Sequence, residues 1–180
     1  MRLLTSTPDA GWLPLGGRAD VVLAEHGDPV PEAVGLVRLL VTRRGRLFAV
    51  ARTGGRPGLD LPTRPVPAGE AADAVTARLV QEVLGPGRRP TLLGYIRNVV
   101  PAGTVYAWPA PVAHFCVHHV ATEAEPAVAG AWLDGAAAAA ELAGRHWWPL
   151  VQALPEGSRQ AVAPRSDATS STSKPAAFSR

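Results

Sequence analysis

The chain has 180 residues, a formal net charge of +3, 47% hydrophobic residues and 18% charged residues. A chain of this length hides roughly 70% of its unfolded surface on folding, and this composition excludes wholesale disorder. No apolar run approaches the roughly 18 residues of a membrane span, and Cys116, the single cysteine, excludes an intrachain disulfide and a cysteine-based zinc cluster.

The opening residues lack the apolar core of a secretory signal, so the expectation is a soluble, cytoplasmic protein. Lys174 is the only lysine, and the arginines at 43, 44 and 46 and at 88 and 89 fall in turns. A nucleic-acid binder concentrates its charge on one face or stripe. The small, scattered charge here argues against that function.

Residues 1–34 are rich in Pro, Gly and Asp, with one candidate strand at Val21–Ala24, and are expected to form an extension outside the domain. The run from Val34 to Val41 is apolar and β-branched, broken only by Arg38. The polar turn Arg43-Arg44-Gly45-Arg46 joins it to Leu47–Ala51, which makes a strand–turn–strand unit. Residues 53–69 read as a long Gly- and Pro-rich loop interrupted by Leu59-Asp60-Leu61. Residues 70–85 are the best helix: Val75, Leu79, Val80, Val83 and Leu84 form one apolar stripe, and Gly85-Pro86-Gly87 stops it.

Thr91–Val100 and Val112–Val120 read as strands, separated by a loop over Pro101–Pro111 that carries Trp108. Trp132-Leu133 is a short strand, and Asp134 is placed to cap a helix over Gly135–Ala143, ended by Gly144. Trp147–Val151 opens a last short helix, and residues 153–180 are expected to be a disordered tail, dominated by Ser, Thr, Ala and Pro. One helix between strands and another near the end predicts helices covering a mixed sheet.

The stretch Leu61-Pro62-Thr63-Arg64-Pro65-Val66-Pro67-Ala68-Gly69-Glu70, followed by a helix through Arg78 and Glu82 to Gly85, resembles the box of the Nudix hydrolase family, G-x5-E-x7-R-E-U-x-E-E-x-G-U with U aliphatic. The likeness covers residues 35–152, with Val37–Val50 similar to the family's opening hairpin. Glu70, Arg78, Val80, Glu82 and Gly85 keep their places. Arg64 stands at the opening Gly, preceded by Thr63 where a second Gly is usual, and Pro86 stands at the last aliphatic place. The three principal carboxylates fall at positions 79, 82 and 83, where this chain has Leu79, Glu82 and Val83.

The resemblance implies an α/β fold, a Nudix-like α/β/α sandwich with a mixed β-sheet. It implies Mg²⁺ or Mn²⁺ held by the helix carboxylates against a diphosphate, with the metal activating water. Mg²⁺ demands hard oxygen ligands in near-octahedral geometry, and one carboxylate beside two aliphatics serves it poorly. The expectation is therefore a divergent Nudix-domain protein with a degraded metal site and little or no hydrolase activity, binding a nucleotide-like small ligand or a partner in the old cleft. Any surviving chemistry falls to Glu82 and Arg78, with Glu82 and, more weakly, Glu70 as metal ligands. Arg78 and Glu82 can equally form an exposed i, i+4 ion pair. Arg64 is a candidate for phosphate or carboxylate. Arg97 and Trp108, with Tyr95, Asn98 and Tyr106, are candidates to line a cleft for a base and a phosphate.

The alternative is an active hydrolase of a nucleoside-diphosphate-linked substrate, with ligands drawn from Glu123, Glu125, Asp134 or Glu141. A pure interaction module and a homodimer stay open. His114, Cys116 and His118 share one face of a strand. One strand spreads such ligands too far to close a zinc site readily, so packing is their expected role. No phosphate loop and no serine nucleophile elbow is present.

Overall fold

The computed structural model describes residues 1–52, 54 and 57–154. In chain order the elements are β1 (Arg2–Pro8), β2 (Arg18–Leu23), β3 (Val34–Arg43), β4 (Arg46–Ala51), β5 (Leu59–Asp60), β6 (Thr63–Pro65), α1 (Ala72–Leu84), β7 (Thr91–Val99), β8 (Val112–Ala121), β9 (Ala131–Leu133), α2 (Gly135–Leu142) and α3 (Trp148–Gln152). The strands form one sheet in the order β1-β2-β7-β8-β3-β4-β5, with β6 also on β3 and β9 also on β4. It is mixed: β3 runs parallel to β8, and the other pairings are antiparallel.

β3 is buried along almost its whole length, as a strand covered on both faces must be. Its alternate residues feed two cores. Val37, Leu39 and Val41 join Val75, Leu79, Val80, Val83 and Leu84 of α1 on one face. Leu36 and Leu40 join Leu142, Trp147, Leu150 and Leu154 on the other, beneath α2 and α3. The result is the α/β/α sandwich on a mixed sheet that the Nudix resemblance implies. No helix among the described residues is long and apolar enough to cross a membrane.

The helices begin and end as their sequences dictate. Asp134 caps α2, its Oδ1 accepting the Ala137 N–H at 2.9 Å. Gly85 closes α1 with a φ of 76°, a conformation that favours glycine, and its N–H donates to the Gln81 carbonyl.

The boundaries expected from composition need correction at both ends. Residues 1–34 do not stand outside the domain: β1 and β2 extend the sheet beyond β7. The expectation of an extension came from the Pro, Gly and Asp content of residues 1–34, part of which, residues 9–17, is the turn between these strands. Asp20 interrupts the apolar pattern of β2 but is only 2% exposed, because its carboxylate accepts from Ser6 Oγ at 2.6 Å and Arg97 Nη2 at 2.8 Å. Burial alone pushes the Asp20 pKa up. Ser6, Arg97 and Arg18 together outweigh it and hold the group below its ordinary value. At the other end, Leu154 is 6% exposed in the core, so packing continues past residue 152. Residues 155–180, most of the expected tail, lie outside the described residues.

Candidate functional site

The box stretch forms a strap. β3 shares one edge between two partners: β6 pairs with Leu36–Arg38, and β4 pairs with Val41–Arg43. From β6 the chain crosses the sheet edge through residues 66–71 and enters α1. This puts Arg64, opposite Val37 in the ladder, beside the last turn of α1.

Four charged box residues meet there, in an arrangement different from the expected one. Arg64 Nη2 donates to Glu82 Oε2, and Arg78 Nη2 donates to Glu70 Oε2. The i, i+4 pair between Arg78 and Glu82 does not form, because the strap brings each a partner from outside the helix. All four side chains are 40–50% exposed, and such pairs are worth about 0–1 kcal/mol each. Both box carboxylates thus have an arginine as partner.

The other two carboxylate positions are inside the protein. Leu79 is 4% and Val83 is 2% exposed, packed in the same core as Val37, Leu39 and Val41. Among the described residues, no three His, Cys, Asp or Glu side chains cluster as a metal site would require. The donor set does not fit an octahedral Mg²⁺ or Mn²⁺ on α1. The alternative acids supply no replacement cluster. Glu125 accepts from Arg43 Nη1 and from Trp132 Nε1, Glu123 pairs with Arg44, and Asp134 caps α2.

Arg97 and Trp108 do not meet. Arg97 lies on the α1 face, its guanidinium on Asp20, while Tyr95 beside it stacks edge-on against His114 at 5.1 Å. Trp108 lies on the opposite face, edge-on to Phe115 at 5.1 Å, and Asn98 turns to that face to donate to Tyr106 Oη. One sheet face cannot carry both Arg97 and Asn98, which are adjacent in a strand.

His114, Cys116 and His118 share the α1 face, but each is engaged in packing or local hydrogen bonds. His114 Nδ1 contacts the Glu32 carbonyl oxygen at 2.6 Å and His118 Nε2 contacts Thr76 Oγ1 at 3.3 Å. Burial pushes the Cys116 thiol up to about 12, which keeps it protonated and a poor nucleophile at neutral pH.

The most unusual polar group is one that motif reading passed over. Arg38, the lone interruption in the apolar run of β3, has a side chain only 8% exposed. Its Nε lies 4.0 Å from Asp60 Oδ1, and its guanidinium carbon is 5.9 Å from the centre of the Phe115 ring. Asp60 already accepts from the Leu61 N–H at 2.8 Å and Trp147 Nε1 at 3.0 Å. The buried Nε and Nη1 of Arg38 have no hydrogen-bond partner. Burial, opposed by Asp60 and aided by Arg145, pulls the Arg38 pKa down to about 10, so it remains a cation at neutral pH. Arg38 and Asp60 line a cavity of about 430 Å³ with Leu36, Arg52, Thr63 and Trp108. The signal in the sequence was a single arginine inside an otherwise apolar strand.

His146 lies close behind this cavity. Burial, with the charges of Arg38 and Arg145 against that of Asp60, lowers its pKa to about 4, and its ring stacks on Trp12 at 5.5 Å. An imidazole held neutral in the fold but protonated near pH 6.5 when unfolded destabilises the fold as pH drops between those values. The effect is on the order of 3 kcal/mol by pH 4, and it is absent above pH 6.5. His114, His118 and His119, also shifted down by burial, act in the same direction. The expected result is a melting temperature, followed by circular dichroism, that falls steadily from pH 7 to pH 4.5. His146→Gln should flatten the profile, and an equal melting temperature at pH 7 and pH 4.5 would contradict the assignment.

No family model matches the sequence, and no curated protein matches it. Solved structures do. The Deinococcus radiodurans protein DR0079 is 18% identical, with 73% of this chain and 90% of that one covered at a TM-score of 0.48. A Nudix hydrolase from Nitrosomonas europaea is 15% identical, with 66% and 84% covered at a TM-score of 0.45. The Bacillus subtilis pyrophosphohydrolase BsRppH, in a mutant form, is 14% identical at a TM-score of 0.41, and the match spans 64% of this chain and 65% of that one.

Proposed function

We propose that this chain is a Nudix-like binding protein that holds a nucleotide-like small anion and does not hydrolyse it through α1. One observation carries the reading. Of the three positions where the box needs carboxylates, two are core aliphatics, and the third, Glu82, has Arg64 as its partner. A two-electron displacement at phosphorus needs the developing charge neutralised, and α1 offers no cluster of oxygen donors for the cation that would do so.

The test is a panel of nucleoside diphosphate derivatives incubated with the protein, with and without Mg²⁺ or Mn²⁺, against a Glu82→Gln control. The expected result is no release of phosphate or pyrophosphate above background in either protein. Glu82→Gln should lower the melting temperature by no more than about 4 °C, as suits a half-exposed ion pair. Metal-dependent release that vanishes in Glu82→Gln would overturn the reading and establish a working hydrolase.

A further inference from the structure

We propose that the cavity around Arg38, on the sheet face opposite α1, is the ligand site, and that its ligand is a flat ring carrying one oxyanion group. This rests on reading the chain as a binding protein, and it places the ligand away from the box helix.

The first argument is the cost of Arg38 as it stands. A guanidinium more than nine-tenths buried is tolerated when its N–H groups are paired. Here Nε and Nη1 have no hydrogen-bond partner, and the nearest carboxylate oxygen, on Asp60, is 4.0 Å away. Asp60 Oδ1, the oxygen nearest Arg38, already accepts from Leu61 and Trp147. A side chain kept charged, buried and under-partnered on a cavity wall fits an acceptor that arrives with a ligand. A planar fork of donors suits a carboxylate or a phosphate above other acceptors.

The second argument is the charge. Arg38, Arg52 and Asp60 line the cavity, and Arg145 stands close enough to depress the Arg38 pKa. The cavity wall thus carries two cations, Arg38 and Arg52, against one anion, Asp60, whose hydrogen-bonding capacity is partly used. One added negative charge restores balance, whereas a cation would meet the arginines. The third argument is shape. Trp108, held edge-on to Phe115, gives the cavity an aromatic wall, and Leu36 adds apolar surface. At about 430 Å³ the space lies at the small end of ligand pockets. It suits one ring system with one charged group rather than a dinucleotide.

The experiment is titration calorimetry and thermal shift on the full chain with four probes: AMP, nicotinate, adenosine and inorganic phosphate. AMP joins a ring to a phosphate, and nicotinate joins a ring to a carboxylate. Adenosine has the ring alone, and phosphate has the anion alone. At least one of AMP and nicotinate is expected to bind, and which one identifies the oxyanion. Adenosine and phosphate should bind at least tenfold more weakly than that probe. Arg38→Met should weaken its binding at least tenfold while the melting temperature holds or rises, since the variant removes a buried, unmatched charge. Trp108→Leu, on a half-buried loop residue, supplies a second loss of binding that does not depend on Arg38. Failure of both AMP and nicotinate to bind would overturn the proposal, as would binding unchanged in Arg38→Met and Trp108→Leu. Metal-dependent hydrolysis lost in Glu82→Gln, with binding still lost in Arg38→Met, would overturn the binding-protein reading and leave this site standing.

Discussion

Replacing Leu79 and Val83 together with glutamate, which would complete the carboxylate row of the box, is expected to unfold the protein. Both side chains face the core formed with Val37, Leu39 and Val41, and both are under 5% exposed. A buried carboxylate either stays charged without a partner or takes up a proton, with its pKa raised by as much as about 3–5 units. At neutral pH each unit is worth about 1.4 kcal/mol. Each substitution also gives up about 2 kcal/mol of apolar burial. The two together, on the order of 10 kcal/mol, rival the total stability of an ordinary domain, about 5–15 kcal/mol. Loss of the cooperative melting transition is the expected readout. Leu79→Met, which preserves volume, should melt close to the parent. A double variant that melts cooperatively and binds Mn²⁺ would mean that this face of α1 is open to solvent, and would remove the main argument against hydrolysis.

The second large effect is expected at Trp147. Its side chain is fully buried between α2 and the sheet, and its Nε1–H donates to Asp60. Trp147→Ala should cost about 3–5 kcal/mol through the cavity it leaves. Trp147→Phe retains most of the bulk and removes the donor, and about 1–2 kcal/mol is expected. The Phe variant has a further consequence. With one donor gone, the Asp60 carboxylate is freer to engage Arg38, so ligand binding in the cavity should weaken while the fold persists. Urea melts give the stabilities, and the same calorimetric titration gives the affinity. Equal stability of the Phe and Ala variants would show that the hydrogen bond, not the packing, dominates.

Several features were legible in the sequence because they rest on local rules. The stripe through Val75, Leu79, Val80, Val83 and Leu84 fixes the buried face of α1, Gly85 fixes its end, and Asp134 fixes the start of α2. The features that escaped depend on neighbours distant in sequence. Arg78 and Glu82 satisfy the helix spacing rule, yet Glu70 and Arg64, brought in by the strap, take their places as partners. β1 shows little apolar alternation because it lies at the edge of the sheet and is mostly exposed. Trp108 sits in a loop with no periodicity, so nothing local assigned it to the face away from Arg97. Arg38 was visible as an interruption, but its significance depends on Asp60, Phe115 and Trp108, which only the sheet gathers.

The position of β8 has a kinetic consequence. It is the axis of the sheet, with β3 parallel on one side and β7 antiparallel on the other, and both neighbours precede it in the chain. Val41 finds Val120, and β2 finds β7, only across long stretches of intervening sequence. During synthesis the helix α1 and the β3–β4 hairpin can form early, but the centre of the sheet cannot close until β8 has emerged. Until then each of two long apolar strands, β3 and β7, has one edge without a partner. Such non-local closure sets the rate of assembly, so refolding should be limited by the arrival of β8 between β3 and β7 and not by formation of the helix. Nascent chains that stop short of residue 121 would present the edges of β3 and β7 to other chains.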